Sequence, residues 1–176
     1  MPSATATLLE ATDDDFEWMI RGVAVPNRGL SLPPGGVDAK AVLAHVRAIA
    51  RTLLQQWGRT ASWMIVANGE VVGLCGYKYP PSDDGAVDIG YGVAASRRRR
   101  GHASSAVAAI LADARRDQSI QDIFADTAVE NVASQGVLKK NGFERVGTHV
   151  DPQDGEALIR WRADVRTGSV TRSAGR

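Results

Sequence analysis

The sequence predicts an α/β (α+β) domain, an open sheet carrying amphipathic helices, and two stretches carry that expectation. Residues 62–79 hold two strand-like runs joined by Asn68-Gly69, the signature of a type I′ hairpin, whose two turn positions both need positive φ. Residues 88–111, DIGYGVAASRRRRGHASSAVAAIL, pass from a short apolar strand through an arginine-rich turn directly into a helix of small residues. Hairpin-linked strands followed by strand–helix alternation give a sheet with helices packed on it. A length of 176 residues suits one domain. We expect it to span residues 1–164, with the polar segment 165–176 forming a flexible tail.

Taken in order, residues 5–10 read as a first strand. Asp13, Asp14 and Asp15 set carboxylates at the start of a short helix over residues 15–21, where they face the positive end of its dipole. Residues 23–36 hold three prolines and three glycines, so no regular element survives there, and a long loop in a compact domain is often functional. From Val37 to Trp57 apolar residues recur at Val42, Val46, Ile49, Leu53 and Trp57, which predicts a helix burying that stripe and ending at Gly58. Ser62–Ala67 and Glu70–Tyr79 form the hairpin, Pro80, Pro81 and Gly85 break the chain, and Ala86–Val93 completes an antiparallel meander. Gly90 and Gly92 alternate in that third strand, where glycine marks a bulge or a close backbone approach.

The next helix buries Ala103, Ala106, Val107, Ile110, Leu111 and Ala114, spaced i, i+3, i+4, i+7, i+8, i+11. A strand over Ile120–Asp126, a helix over Asn131–Lys140, and strands over Phe143–Val150 and Ala157–Ala163 follow, the last two joined by the turn Asp151-Pro152-Gln153-Asp154-Gly155.

Chemistry concentrates in the turn between residues 93 and 104. Gly101 and Ala103 leave backbone N–H groups uncovered at the first turn of a helix, where orphan amides and the helix dipole meet. Arg97 to Arg100 add positive charge beside them, a combination suited to a pyrophosphate. Over the whole chain charge is balanced, 21 basic against 20 acidic residues, so no global field draws the protein to nucleic acid or a membrane. A lone Cys75 excludes an internal disulfide and cysteine-built zinc clusters, and His45, His102 and His149 lack metal-ligand spacing. With no signal peptide or apolar run of membrane-spanning length, the chain reads as cytoplasmic.

The strand, the Arg98-x-x-Gly101-x-Ala103 turn and the helix together resemble the acyl-CoA-binding motif of the GNAT superfamily of N-acetyltransferases. Asn131-Val-Ala-Ser134, followed by the stretch from Val137 to Phe143, is similar to the Asn-x-x-Ser segment and ending of the branch that acetylates ribosomal-protein N-termini. The specific motifs cover residues 86–147. The resemblance implies a GNAT fold, with a mixed central sheet of about seven strands splayed in the middle and flanked by about four helices. It implies acetyl-CoA as co-substrate and direct acetyl transfer to a primary amine, without a metal. Val93 and Asn131 would hold the pantetheine arm, and Arg98, Arg99, Arg100, Gly101, Ala103 and Ser104 the pyrophosphate. A backbone N–H near Val93 would stabilise the oxyanion.

For acid and base the resemblance implies Ser134 and Asp88. The commonest family pattern has a Tyr in the helix after the Asn motif, where this chain carries Leu138. In the ribosomal-protein branch a serine substitutes, and Ser134 matches it, also contacting the thioester. A carboxylate often stands where Asp88 does; it would act through water. Arg99 replaces a residue that is Gly in many members and restricts the backbone there.

Plainer readings stand beside these. Four arginines alone are a solvated run or a nucleic-acid patch. Gly90-x-Gly92-x-x-Ala95 also fits a dinucleotide fingerprint, but the acidic residue at the right spacing, Asp113, lies inside the amphipathic helix. Asp88 is alternatively a solvent-facing strand residue, with Asp126 and Glu130 as rivals. Ser134 is alternatively a helix-surface serine, and Asn131 only an N-cap. His102 is expected to point to solvent, and Cys75, Trp18, Trp57 and Trp63 to pack in the interior. The acceptor stays open between a protein N-terminal α-amine and a small amine (polyamine, amino acid or antibiotic), its pocket lined by residues 23–36, the loop 80–85 and the hairpin near His149. A non-catalytic acyl-CoA sensor is the alternative from another class, and a homodimer stays open.

Overall fold

In the computed structural model, which describes residues 6–22 and 28–166, the chain runs β1 (Thr7–Glu10), α1 (Asp13–Arg21), α2 (Lys40–Trp57), β2 (Ser62–Ala67), β3 (Glu70–Tyr77), β4 (Ala86–Val93), a 3₁₀ turn (Ala95–Arg97), α3 (His102–Ala114), β5 (Asp122–Ala128), α4 (Val132–Lys140), β6 (Glu144–Val150) and β7 (Ala157–Asp164). The strands form one mixed seven-stranded sheet in the order β1-β2-β3-β4-β5-β7-β6. Among the described strands only β4 and β5 pair in parallel, and α3 supplies the crossover that a parallel pair requires.

Local chemistry sets the boundaries. Thr12 caps α1 with a capping box: its hydroxyl accepts from the Asp15 N–H and the Asp15 carboxylate accepts from the Thr12 N–H. The helix therefore begins at Asp13, two residues before the expected start. Asn68 and Gly69 take φ of 51° and 75°, as a type I′ turn demands.

α2 departs from the expected stripe. Its buried residues are Leu43, Ala50 and Leu53, while Val42 is 43% exposed. The helix carries apolar residues around much of its circumference, so periodicity alone could not orient it. Arg47 and Arg51, which both pair with Asp13 of α1, lock the rotation and hold the Asp13 carboxyl well below the usual carboxylate range.

Two clusters form the core, and β2 and β3 contribute to both. Phe16, Met19, Leu43, Met64 and Leu74 pack under α1 and α2, and Val107, Ile110, Leu111, Ile123 and Trp161 lie in the second cluster with α3. Between β4 and β5 the sheet opens. Their ladder contains Ala86–Asp122, Val87–Ile123 and Asp88–Phe124, after which β4 stays with β3 to Val93 and β5 stays with β7 to Ala128. The result is a V beyond Asp88. It arises without the bulge that Gly90 and Gly92 suggested: the β3–β4 register is unbroken, and a shift occurs in β2, at Ile65/Val66.

Val165 is buried and donates its N–H to the Gln121 carbonyl at 2.9 Å, so order extends past the expected start of the tail. The rest of that tail, residues 167–176, lies outside the described residues, as do residues 23–27 of the long loop. The remainder of the loop is pinned: Ser31 exchanges backbone bonds with Gly69 and Val71, and Arg28 pairs with buried Asp15 at 3.0 Å. No described helix is long and apolar enough to cross a membrane.

Candidate active site

The V exposes backbone that the ladder does not use. The Ala94 N–H bonds Val72 and the Asp88 carbonyl accepts from Lys78, both on the β3 side. Alternation along the strand then turns the backbone groups of Ile89, Tyr91 and Val93 toward the gap. Arg98 donates its Nε to the Val93 carbonyl at 3.2 Å, which leaves the Val93 N–H as the open donor at the mouth of the V.

The turn that follows is shaped for an anion. Arg99 has φ of 62° and Gly101 of 83°, left-handed values that fold successive N–H groups into a concave nest. Arg99 holds this conformation despite its β-carbon, at a cost of about 1 kcal/mol or more. No side chain caps α3 at Gly101, so the helix N-terminus stays open to a ligand. Ala103 and Ser104 are half-buried in its first turn. Asn141, at the end of α4, donates to the Ser104 hydroxyl and carbonyl, each at 3.2 Å, tying the two helices together.

Two expectations for this turn need correction. Arg97 does not belong to the anion site, since its guanidinium makes a bidentate pair with Glu70 at 2.5 and 2.9 Å. His102 does not face solvent. It is 5% exposed and its Nδ1 has no hydrogen-bond partner; burial, with the Arg100 charge assisting, pushes its pKa below the ordinary histidine value.

Across the gap, Asn131 caps α4 by accepting from the Ser134 N–H at 3.1 Å, which leaves its amide NH₂ to reach a ligand. The Ser134 hydroxyl lies 2.7 Å from the Tyr91 hydroxyl, and Tyr91 also donates to the Ser134 carbonyl at 3.2 Å. Burial raises the Tyr91 phenol above its usual value, partly offset by the Ser134 bond. Sequence reasoning missed Tyr91. It looked for a tyrosine on α4, whereas this one reaches α4 from β4.

A cavity of about 500 Å³ adjoins the V. Val42, Val46 and Ile49 of α2 form an apolar wall, Gly90 and Gly92 its floor, and Asp38, Lys78 and Asp151 its charges. A Cβ on Gly92 would stand 3.6 Å from the Asp38 carboxylate, and one on Gly90 3.4 Å from Lys78, so these glycines keep the floor clear. Val37 and Asp38 line it just past the expected stretch 23–36. α2 was not foreseen as a wall, and of the final hairpin it is Asp151 and Gln153 that contribute. Cys75 lines the cavity as a buried thiol whose pKa burial pushes up.

Asp88 sits at the apex of the V. Both its oxygens meet the Arg160 guanidinium, the second at 3.1 Å, and Asp126 accepts from the same guanidinium at 2.9 Å. Burial works against the Arg160 charge, but the two carboxylates outweigh it and hold the guanidinium ionised. Asp88 thus spends both oxygens on one guanidinium, and no sequence spacing announced Arg160.

Residues 7–144 match the acetyltransferase (GNAT) domain family. The uncharacterized N-acetyltransferase YjdG of Bacillus subtilis (strain 168) is 33% identical over 84 residues, 47% of this chain, and the match spans 50%, about half, of that relative's length. Among solved structures, the ribosomal L7/L12 α-N-protein acetyltransferase RimL in complex with coenzyme A superposes with a TM-score of 0.67 at 20% identity, covering 92% of this chain and 95% of that one. AAC(6')-Ib in complex with paromomycin and acetyl-CoA gives 0.68 at 20% identity over 97% and 99%. At such identities the two structures establish the fold.

Proposed function

Because the chain belongs to the GNAT acetyltransferase family, we propose that it moves the acetyl group of acetyl-CoA directly to a primary amine, with a protein N-terminal α-amine as the acceptor. The observation that carries the donor assignment is the uncapped N-terminus of α3 beside the left-handed Arg99 and Gly101. Its amides, with Arg98 and Arg100, suit the pyrophosphate. The Val93 N–H and the Asn131 amide suit the pantetheine arm, which lies along β4 as an added strand does. The Val93 N–H also faces the charge that develops on the thioester oxygen.

Ser134 serves as the acid. Its hydroxyl lies 2.7 Å from that of Tyr91, either of which can be the donor, and where Tyr91 donates, the Ser134 O–H is left to protonate the leaving thiolate. An α-amine, with a pKa of about 7.7 to 8.0, is roughly a tenth to a sixth neutral at pH 7, far more than a lysine side chain at about 10.4, and asks less of a base. The cavity supports an α-amine over a polycation: Val42, Val46 and Ile49 give it an apolar wall, and Lys78 offsets one of its two carboxylates, Asp38 and Asp151.

Thermal unfolding with and without acetyl-CoA tests the donor site. Acetyl-CoA at about 100 times its Kd adds about 2.7 kcal/mol, a rise of roughly 5 to 10 °C for this size. Thiol release against tripeptide amides led by Ala, Ser or Met, beside spermidine and an aminoglycoside, ranks acceptors. Peptides should lead, and Ser134→Ala should lower kcat about a hundredfold with acetyl-CoA affinity kept. A thermal shift without release from any amine would make the domain a sensor.

A further inference from the structure

We infer that the His149–Asp126 pair, and not Asp88, accepts the proton of the attacking amine. The inference rests on the transferase reading above and adds the residue that carries the proton away. At the apex of the V, Arg160 faces two carboxylates from neighbouring strands. Asp88 spends both oxygens on it, whereas Asp126 spends only Oδ2. The other oxygen, Asp126 Oδ1, is buried without a hydrogen-bond partner and lies 3.8 Å from His149 Nε2. A buried carboxylate oxygen left unbonded is costly, so it awaits a donor.

Charge counting gives the same answer. Two carboxylates against one guanidinium leave the cluster with one negative charge uncompensated, room for one proton. His149 is the titratable group in place to take it. Its side chain is 43% exposed, and it precedes by two residues Asp151, which lines the cavity. Asp126 itself lies two residues beyond Phe124, the last paired residue of β5 on its β4 side. The charged groups around His149 are therefore Asp126 from β5, Asp88 from β4 and Arg160 from β7, with Asp151 and Lys78 at the cavity.

The step balances. As the amine nitrogen bonds the acetyl carbon, its proton passes to His149 Nε2, directly or through one water. Asp126 Oδ1 then accepts a charge-assisted bond from the imidazolium. The C–S bond breaks, the thiolate takes the Ser134 proton, and a proton from cavity water restores Ser134 by way of Tyr91, which lines the cavity. His149, whose side chain is 43% exposed, returns its proton to bulk water. The products are the acetylated amine and free CoA thiol.

The test is the pH profile of kcat/KM for an alanine-led tripeptide amide in the wild type, His149→Gln, Asp126→Asn and Asp88→Asn. Acetyl-CoA affinity and melting temperature serve as folding controls. Two protons must leave before attack, one from the acceptor ammonium and one from the imidazolium, so the logarithm of kcat/KM should rise at low pH with a slope of about two. In His149→Gln the slope falls to about one and the plateau drops about a hundredfold, with acetyl-CoA affinity unchanged. In Asp126→Asn the plateau falls with acetyl-CoA affinity unchanged, because the imidazolium loses its partner at Asp126 Oδ1. Asp88→Asn keeps the slope of two. A slope of two in His149→Gln, or its loss in Asp88→Asn alone, overturns the inference. Wild-type protein that binds acetyl-CoA but acetylates no amine overturns the transferase reading and this one with it.

Discussion

The two sides of the V are built in different ways. The donor side comes mostly from one continuous stretch, from Asp88 to Ser104, joined by Asn131 and Ser134 at the start of α4, and what it offers is mostly main chain: the N–H groups of β4 and the open end of α3. The acceptor side gathers Asp38, Val42 and Val46 near and on α2, Lys78 past β3, and Asp151 from the β6–β7 turn. Backbone recognition tolerates side-chain variation and fixes the local conformation. Side-chain recognition leaves the conformation free and lets the lining vary. One sheet can thus keep a common donor while changing its acceptor.

The sharpest way to break this contrast is to disturb donor-side main chain and donor-side charge separately. Gly101 at φ of 83° rejects a β-branched residue. Gly101→Val should therefore collapse the nest and weaken acetyl-CoA binding about a hundredfold, about 2.7 kcal/mol. Arg97→Ala removes one of the four arginines together with its bonds to Glu70 and the Ser96 carbonyl, and should leave acetyl-CoA affinity unchanged. Isothermal titration of both variants checks the pair. Equal losses would mean that charge, and not backbone shape, holds the donor.

The same contrast explains what was legible in the sequence. Asn68-Gly69, the apolar face of α3 and the Arg98–Ala103 turn are local patterns, and each reports a conformation directly. The V was expected as part of a family resemblance, but its cause was misread. Gly90 and Gly92 mark a cleared cavity floor rather than a bulge, and a single strand cannot distinguish the two. Tyr91, Arg160 and the α2 wall were invisible because their meaning lies in partners far along the chain: Tyr91 with Ser134, Arg160 with Asp88 and Asp126. His102 was misplaced because a histidine in an exposed-looking turn gives no sign that the helix start is tucked against the sheet.

On the acceptor side the effect should be smaller and confined to the amine. Val42 is exposed on α2 and contributes to the apolar wall, so Val42→Asp costs little stability. It places a third carboxylate opposite Asp38 and Asp151. The KM for an alanine-led peptide should rise about tenfold, about 1.4 kcal/mol, and that for spermidine should fall, while acetyl-CoA affinity stays fixed. Steady-state kinetics with both acceptors decide it. A parallel change in acetyl-CoA affinity would show that the two sides are not independent.

The smallest effect should come from His102, where the donor side depends on a side chain after all. Burial and the Arg100 charge lower its pKa in the fold, against opposition from Glu70. Above about pH 6.5, the ordinary histidine value, it is neutral in both folded and unfolded chains and has no net titration effect. Below that pH the unfolded chain binds a proton that the native chain refuses, so stability falls until the native pKa is passed. Asp13, held low by Arg47 and Arg51, loses its contribution only in the carboxylate range, about pH 4 and below, which leaves the interval between the two to His102. Calorimetry at pH 7.5 and 5.5 should find the wild type losing a few degrees more than His102→Gln. Hydrogen exchange at pH 5.5 should find the first-turn amides of α3 opening before the rest of that helix. An identical drop in both proteins would mean that His102 takes up its proton without disturbing the helix start, and the donor side would then be main chain throughout.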